Sequence, residues 1–193
     1  QARLDSVRVL ARKCLSSERH CEHVARLSRK IFDGLQAAYC LPLPAREILQ
    51  AAALLHDVGC MVSHAQHHKH GYHLIRHAEL AGFSAREVEL IANVVRYHRR
   101  ALPKKSHANF AQLGGEDREL VRLLSGILRV ADGLDRTNNQ CVTGVECRLG
   151  RGRITFILES KAPPHVEIWD AKRKTALFEK TFDPVLGFQW KLK

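Results

Sequence analysis

The segment from Ala45 to Val58 constrains the fold more than any other, because a helix there is apolar almost all round. Ile48, Ala51, Ala52, Leu54 and Leu55 leave only a narrow polar strip for solvent. Such a helix belongs at the centre of a bundle. Gly59 ends it, and its last turn carries His56 and Asp57. Two adjacent polar side chains in that place are costly unless something satisfies them. A divalent metal ion does so, since imidazole nitrogen and carboxylate oxygen are both good ligands. The alternative is that Asp57 caps backbone amides of the next turn while His56 donates to a carbonyl.

The flanking segments supply the other walls. Asp5 to Tyr39 reads as one helix, with Val24, Leu27, Ile31 and Leu35 forming an apolar stripe, and Leu41-Pro42-Leu43-Pro44 breaks it. His20 falls on that stripe and points inward. His23 falls at the stripe's edge and is read as a supporting or surface residue. A His-rich loop covers Ser63 to Lys69, and a short helix covers Tyr72 to Leu80. Ser84, with Glu87 three positions on, opens a capping-box helix that runs to His98. Arg99 to Glu116 reads as a long basic loop. A helix from about Asp117 to Leu134 then carries Asp132 on the inward face of Val121, Ser125 and Leu128. A lone carboxylate there needs a partner, and a metal shared with His56 and Asp57 provides one.

After Asn138-Asn139 the pattern changes. Val142 to Glu146 and Ile154 to Glu159 flank Gly150-Arg151-Gly152 as a hairpin. Val166 to Trp169 reads as a third strand, Asp170 to Phe182 as a helix and Val185 to Leu192 as a closing strand. The expected architecture is mainly α: a helical bundle over residues 1–140 with a small α+β appendage over 141–193.

The order His20, His56-Asp57, Asp132, in the settings HCEHVARL, AALLHDVG and LRVADGLDR, resembles the HD superfamily of metal-dependent phosphohydrolases. The stretch HHKHGYHLIRHAELAGFSAREVELIANVVRYHRR and the tail WDAKRKTALFEKTFD resemble more closely the C-terminal HD-type domain of the exopolyphosphatase/guanosine pentaphosphate phosphatase family. The resemblance implies an HD-type bundle in which His20, His56, Asp57 and Asp132 bind a divalent ion and His56-Asp57 is the catalytic pair. Mn, Mg, Fe, Ni and Zn are not distinguished by this donor set. Two-metal HD proteins take further ligands from the later histidines, which here makes His67, His70 and His98 the candidates for a second ion or for substrate contact. That family also carries two actin-like ATPase-type lobes, which perform its exopolyphosphatase reaction. Nothing in this chain resembles them, so only the HD site transfers. Some members have lost the His-Asp pair; this sequence keeps every ligand.

The implied reaction is metal-assisted hydrolysis of a nucleotide or polyphosphate-like substrate, with Lys69, Arg96, Arg99 and Arg100 as phosphate-binding candidates. The other reading is a non-catalytic regulatory or binding module for polyphosphate or guanosine alarmones. A formal net charge of +11 favours an anionic partner of either kind. Nucleic acid has no motif behind it, since aromatics are only 6% and no stacking platform is interleaved with the basic residues. No stretch reaches the roughly 18 apolar residues that span a bilayer. The first residues show no apolar signal region, and the start at Gln1 reads as part of a longer protein. The six cysteines form no CxxC pair, which fits a reducing cytoplasm, and Cys21 and Cys60, close in sequence to the histidine ligands, are expected as buried free thiols. Phe178, Phe182, Phe188 and Trp190 of the tail could cover a second copy of the chain or its own flank.

Overall fold

A computed structural model describes residues 2–193, and they form a helical bundle followed by a small α+β tail. The bundle holds α1 (Ala2–Lys13), α2 (Glu18–Gln36), α3 (Leu43–Leu55), a 3-10 turn (Val58–Met61), α4 (His67–Arg76), α5 (Ala85–Arg96), α6 (Ala108–Ala111) and α7 (Gly115–Gly133). The tail holds β1 (Val142–Gly150), β2 (Arg153–Ser160), α8 (His165–Arg173), α9 (Ala176–Phe182) and β3 (Val185–Leu192). No helix among the described residues is long and apolar enough to cross a membrane. The six cysteines are all free thiols; Cys21 is buried as expected, whereas Cys60, in the turn after α3, is only half-buried.

The apolar segment lies where its composition puts it. Helix α3 is packed by α1, α2, α5 and α7, and Ala51, Ala52, Ala53, Leu54 and Leu55 are all buried. Its regular geometry ends at Leu55, earlier than Gly59, and Asp57 turns out of it at φ −100°, ψ 1°. A Cβ on Gly59 would stand 1.9 Å from the carbonyl oxygen of His67, so only glycine lets α4 cross here. That crossing brings His67 up to Asp57.

Several elements depart from expectation. Asp5 to Tyr39 is two helices, because Leu15 adopts the left-handed region at φ 53° and Ser17 starts α2 afresh. Helix α4 begins at His67, so His67, His68, Lys69 and His70 are helical and do not form a loop. The basic loop contains the turn α6, and α7 starts two residues early, at Gly115. Val166 to Trp169 is not a strand: it lies inside α8, which follows Pro164. The predicted helix from Asp170 to Phe182 divides into α8 and α9 at Lys174 and Thr175. The capping box forms as predicted, with the Ser84 hydroxyl accepting from Glu87 N and the Glu87 carboxylate accepting from Ser84 N at 2.8 Å.

The tail sheet has the order β1-β2-β3, with β1 antiparallel to β2 and β3 parallel to β2. A parallel neighbour requires a crossover, which α8 and α9 provide. The tail is not loosely attached. Phe156, Phe178, Phe182 and Leu186 belong to the same buried cluster as Leu35 and Leu128. Helix α7 meets the tail at Gly126 and Gly133, where backbone touches backbone. A Cβ on Gly133 would lie 2.8 Å from Ala171 Cα and one on Gly126 3.1 Å from Phe178 Cα.

Two outcomes follow from this packing. Gly133→Ala forces α8 away from α7 and should lower stability by about 1–3 kcal/mol, read as a reduced urea midpoint with loss of the Trp169 and Trp190 emission change on a shared transition. The second concerns His23, which is buried on α2. Burial, with the charge of Arg26 second among the lowering influences, outweighs Asp135 and holds its pKa down to about 4; Arg26 Nη2 donates to its Nδ1 at 2.6 Å. The unfolded ring titrates near 6.5. Between those values the unfolded chain takes up a proton that the folded chain refuses, so stability is complete above about 6.5 and falls as pH drops towards 4. Urea midpoints at pH 7 and pH 5 should differ less in His23→Phe than in the parent protein.

Candidate metal centre

Five helices converge on one point. Helix α2 supplies His20, the end of α3 supplies His56 and Asp57, and α7 supplies Asp132. The start of α4 and the end of α5 add His67 and His98. His20 Nε2 lies 3.4 Å from Asp132 Oδ1 and 4.0 Å from Asp57 Oδ2. His56 Nε2 lies 3.5 Å from Asp57 Oδ2 and 3.6 Å from Asp132 Oδ1. On the other side of Asp57, its Oδ1 lies 3.3 Å from His67 Nε2, which faces His98 Nε2 at 3.1 Å. The four predicted metal-ligand residues are therefore together, and His67 and His98 stand beside them.

The far nitrogens explain the orientation. His20 Nδ1 donates to Asp135 Oδ2 at 2.8 Å, His56 Nδ1 to the Ala53 carbonyl at 2.7 Å and His98 Nδ1 to the Val95 carbonyl at 2.7 Å. A hydrogen on Nδ1 leaves the Nε2 lone pair aimed at the centre, which is how metal-binding imidazoles are usually held. His67 can be held in two ways. Its Nδ1 lies 2.9 Å from the His64 carbonyl and 3.0 Å from Arg99 Nη1. With the hydrogen on Nδ1, both facing Nε2 atoms present lone pairs, and with it on Nε2, His67 donates to His98. Of the two arrangements open for His56 and Asp57, the carbonyl bond of His56 forms, yet it uses only one ring nitrogen. The buried His56 Nε2 has no hydrogen-bond partner.

Electrostatics single out the same place. Burial works against a charged His20, but its bonds to Asp132 and Asp135 outweigh this and lift its pKa to about 9. His56 is raised well above its ordinary value: burial opposes the charge, and Asp57 with Asp132 overcomes it. Burial disfavours an ionised Asp132, yet Lys174 and the two imidazoles hold its pKa well below the carboxylate range. Burial and the neighbouring His56 charge push His98 far down, so it remains neutral and able to ligate. The carboxylate field that lifts His20 and His56 is answered by protons on Nε2 or by a cation among them. An orphan buried nitrogen, two carboxylates and anchored imidazoles fit a divalent ion of the first transition row or magnesium.

Two thiols approach the centre. Cys21 lies within 4.8 Å of the His56 and Asp57 donor atoms, and Cys60 within the same reach of Asp57 and His67. Burial, then the Asp57 charge, pushes the Cys60 thiol up to about 11.

Above the centre opens a cavity of about 550 Å³ with a basic rim. Arg99 and Arg100 line it, as do Arg129 and Arg136, which the sequence places one turn either side of Asp132. Arg129 donates to the carbonyls of Tyr97 at 2.9 Å, Ala101 at 3.4 Å and Arg100, and burial lowers its pKa to about 10. Three predicted residues stand apart from the lining. Lys69 is exposed on α4, His70 lies on the same helix, and Arg96 is half-buried with its guanidinium 5.5 Å from the Tyr97 ring centroid. His23 is neither at the surface nor among the inner atoms, because β1 covers the edge of α2 on which it lies.

The sequence reading missed Asp135, Asp170, Arg173 and Lys174. Asp135 was detectable, since it follows Asp132 by one turn and so shares its face. The other three come from the tail and reach the cavity through α8. Lys174 Nζ lies 2.8 Å from Asp132 Oδ2 and 2.7 Å from Asp170 Oδ2.

Comparison with known proteins agrees with this architecture. The family described as Ppx/GppA phosphatase, domain III, matches residues 2–166. The guanosine-5'-triphosphate,3'-diphosphate pyrophosphatase of Pseudoalteromonas translucida (strain TAC 125) is 33% identical over 84 residues, 44% of this chain and 16% of that protein. The protein of the same name from Pseudoalteromonas atlantica (strain T6c / ATCC BAA-1087) is 33% identical over 78 residues, 40% of this chain and 16% of that protein. The similarity to these relatives thus spans about a sixth of their length. With 165 consecutive residues covered by one family description, this chain belongs to the Ppx/GppA phosphatase, domain III family.

Proposed function

We propose that this chain is an HD-type, divalent-metal-dependent phosphohydrolase domain acting on a nucleotide or polyphosphate-like substrate. The observation that carries the reading is the position of Asp57, whose two oxygens face different imidazole groups: Oδ2 towards His56 at 3.5 Å and Oδ1 towards His67 at 3.3 Å. His20, His56, Asp57 and Asp132 would hold one ion. His67 and His98, with Asp57 between the two groups, would hold a second. A divalent ion in this setting polarises a phosphoryl oxygen and makes water a competent nucleophile at neutral pH.

The chain's own residues do the rest. His20 and His56 are fixed by their Nδ1 bonds, so the donor set needs little rearrangement to engage a ligand. Arg99 and Arg100 face the cavity from the loop after α5 and can take phosphoryl oxygens, in the bidentate manner arginine favours. The family membership supports phosphate-ester or phosphoanhydride chemistry, and the names of the Pseudoalteromonas relatives point towards guanosine polyphosphates. We assign residues 1–140 to the HD-type part and 141–193 to the tail, and place the protein in the cytoplasm.

Stripping the protein with a chelator and adding back Mn²⁺ or Mg²⁺ should restore phosphate release from a panel of nucleotides, pyrophosphate and short polyphosphates. Asp57→Ala should reduce turnover about 100-fold or more while the protein remains folded by circular dichroism. Stoichiometric metal binding without cleavage of any panel member would instead establish a binding module. Failure of the intact protein to bind either ion would sink the metal assignment itself.

A further inference from the structure

The tail reaches the centre of the cavity through a single cation. Lys174, at the C-terminal end of α8, is held between Asp132 Oδ2 at 2.8 Å and Asp170 Oδ2 at 2.7 Å. Asp170 stands one turn earlier on the same helix, so the tail brings both the ammonium and a carboxylate to balance it. The grip leaves Asp132 with its oxygens divided, Oδ2 on Lys174 and Oδ1 towards His20 and His56. Of the ammonium's three N–H donors one is given to Asp132 Oδ2, while Asp170 Oδ2 is a close ion-pair partner without a hydrogen bond, so donor capacity remains. Lys174 also lines the cavity, with Arg173 and Arg136 alongside. The ammonium thus stands in the cavity wall with donor capacity to spare, one contact away from the candidate metal ligand Asp132.

We propose that Lys174 is a substrate-contacting residue supplied by the tail, donating a charge-assisted hydrogen bond to a phosphoryl oxygen of a ligand seated at the metal ligands. The ligand class is a phosphate oxyanion, and the inference rests on the phosphohydrolase reading above. A fixed ammonium suits this place because the charge is already desolvated and pinned on two sides, so a phosphate group meets a donor that needs no ordering. Asp170 offsets the repulsion between the ammonium and a nearby divalent cation. The tail is thus a wall of the site as well as a cover for the bundle.

The test uses the full chain saturated with Mn²⁺ and titrates inorganic phosphate calorimetrically, after a separate Mn²⁺ titration of each protein. Lys174→Met should bind phosphate about tenfold or more weakly than the parent at saturating Mn²⁺. Lys172→Met, an exposed neighbour on α8, should match the parent. Because Lys174→Met leaves Asp132 and Asp170 facing one another, the double variant Lys174→Met/Asp170→Asn, which removes that repulsion, is measured beside it and should show the same loss. If either Lys174 variant binds phosphate as the parent does while saturated with Mn²⁺, Lys174 makes no substrate contact and only this inference falls. If the parent binds no Mn²⁺, the phosphohydrolase reading falls and takes the inference with it.

Discussion

The arrangement depends on where each imidazole sends its outer nitrogen. His20, His56 and His98 each give Nδ1 to a fixed acceptor, a carboxylate in one case and helix carbonyls in the other two. That single commitment sets tautomer, ring plane and direction at once, and it turns buried polar groups from a liability into a donor set. Helix ends make it possible. Ala53 and Val95 lie three residues before His56 and His98, so a carbonyl near the end of each helix is within reach of the ring, and the Val95 carbonyl takes the His98 amide as well. The termination of α3 at Leu55, just ahead of the close crossing of α4 at Gly59, is therefore a condition for the site as much as for the fold.

Charge is organised in layers around this point. Two carboxylates, Asp57 and Asp132, stand among the imidazoles, and a third, Asp135, stands behind His20. Outside them comes a rim in which arginines from the loop after α5 and from α7 face arginine and lysine from the tail. An inner negative field suits cations and an outer positive one suits anions, and a phosphate bound to metal needs both.

Much of this is legible in the sequence, for identifiable reasons. The stripe through Val24, Leu27 and Ile31 turns His20 inward, and the all-apolar α3 forces His56 and Asp57 into the interior; both inferences need only helical periodicity. His67 and His98 are candidates through the resemblance to two-metal HD proteins, and His98 also follows the inward face of Ile91 and Val94. What escaped has equally physical causes. Leu15 breaks a helix without glycine or proline, its left-handed backbone closing α1 through local bonds of Leu15 N to the Arg12 carbonyl and Ser16 N to the Ala11 carbonyl. Val166 and Trp169 are strand-prone residues, yet they follow Pro164 and serve the crossover that a parallel pair demands. His23 sits at the right angle to be a surface residue on an isolated helix, and only the arrival of β1 buries it. Lys174 and Asp170 were read as part of an appendage, and no local pattern reveals that α7 carries glycines where α8 and α9 must lie flat against it.

Arg129 shows how such a rim can be ready before any ligand arrives. Its guanidinium, planted on the rigid α7, gathers the carbonyls of Tyr97, Arg100 and Ala101, and Arg100 is held at φ 62° in the process. The backbone that carries Arg99 and Arg100 is thereby tied down at three points. Most conformational entropy that an irregular segment would surrender on complex formation has already been surrendered during folding. Recognition at this edge of the cavity then becomes a matter of docking onto a finished surface, and selectivity among anions shifts from flexibility to shape.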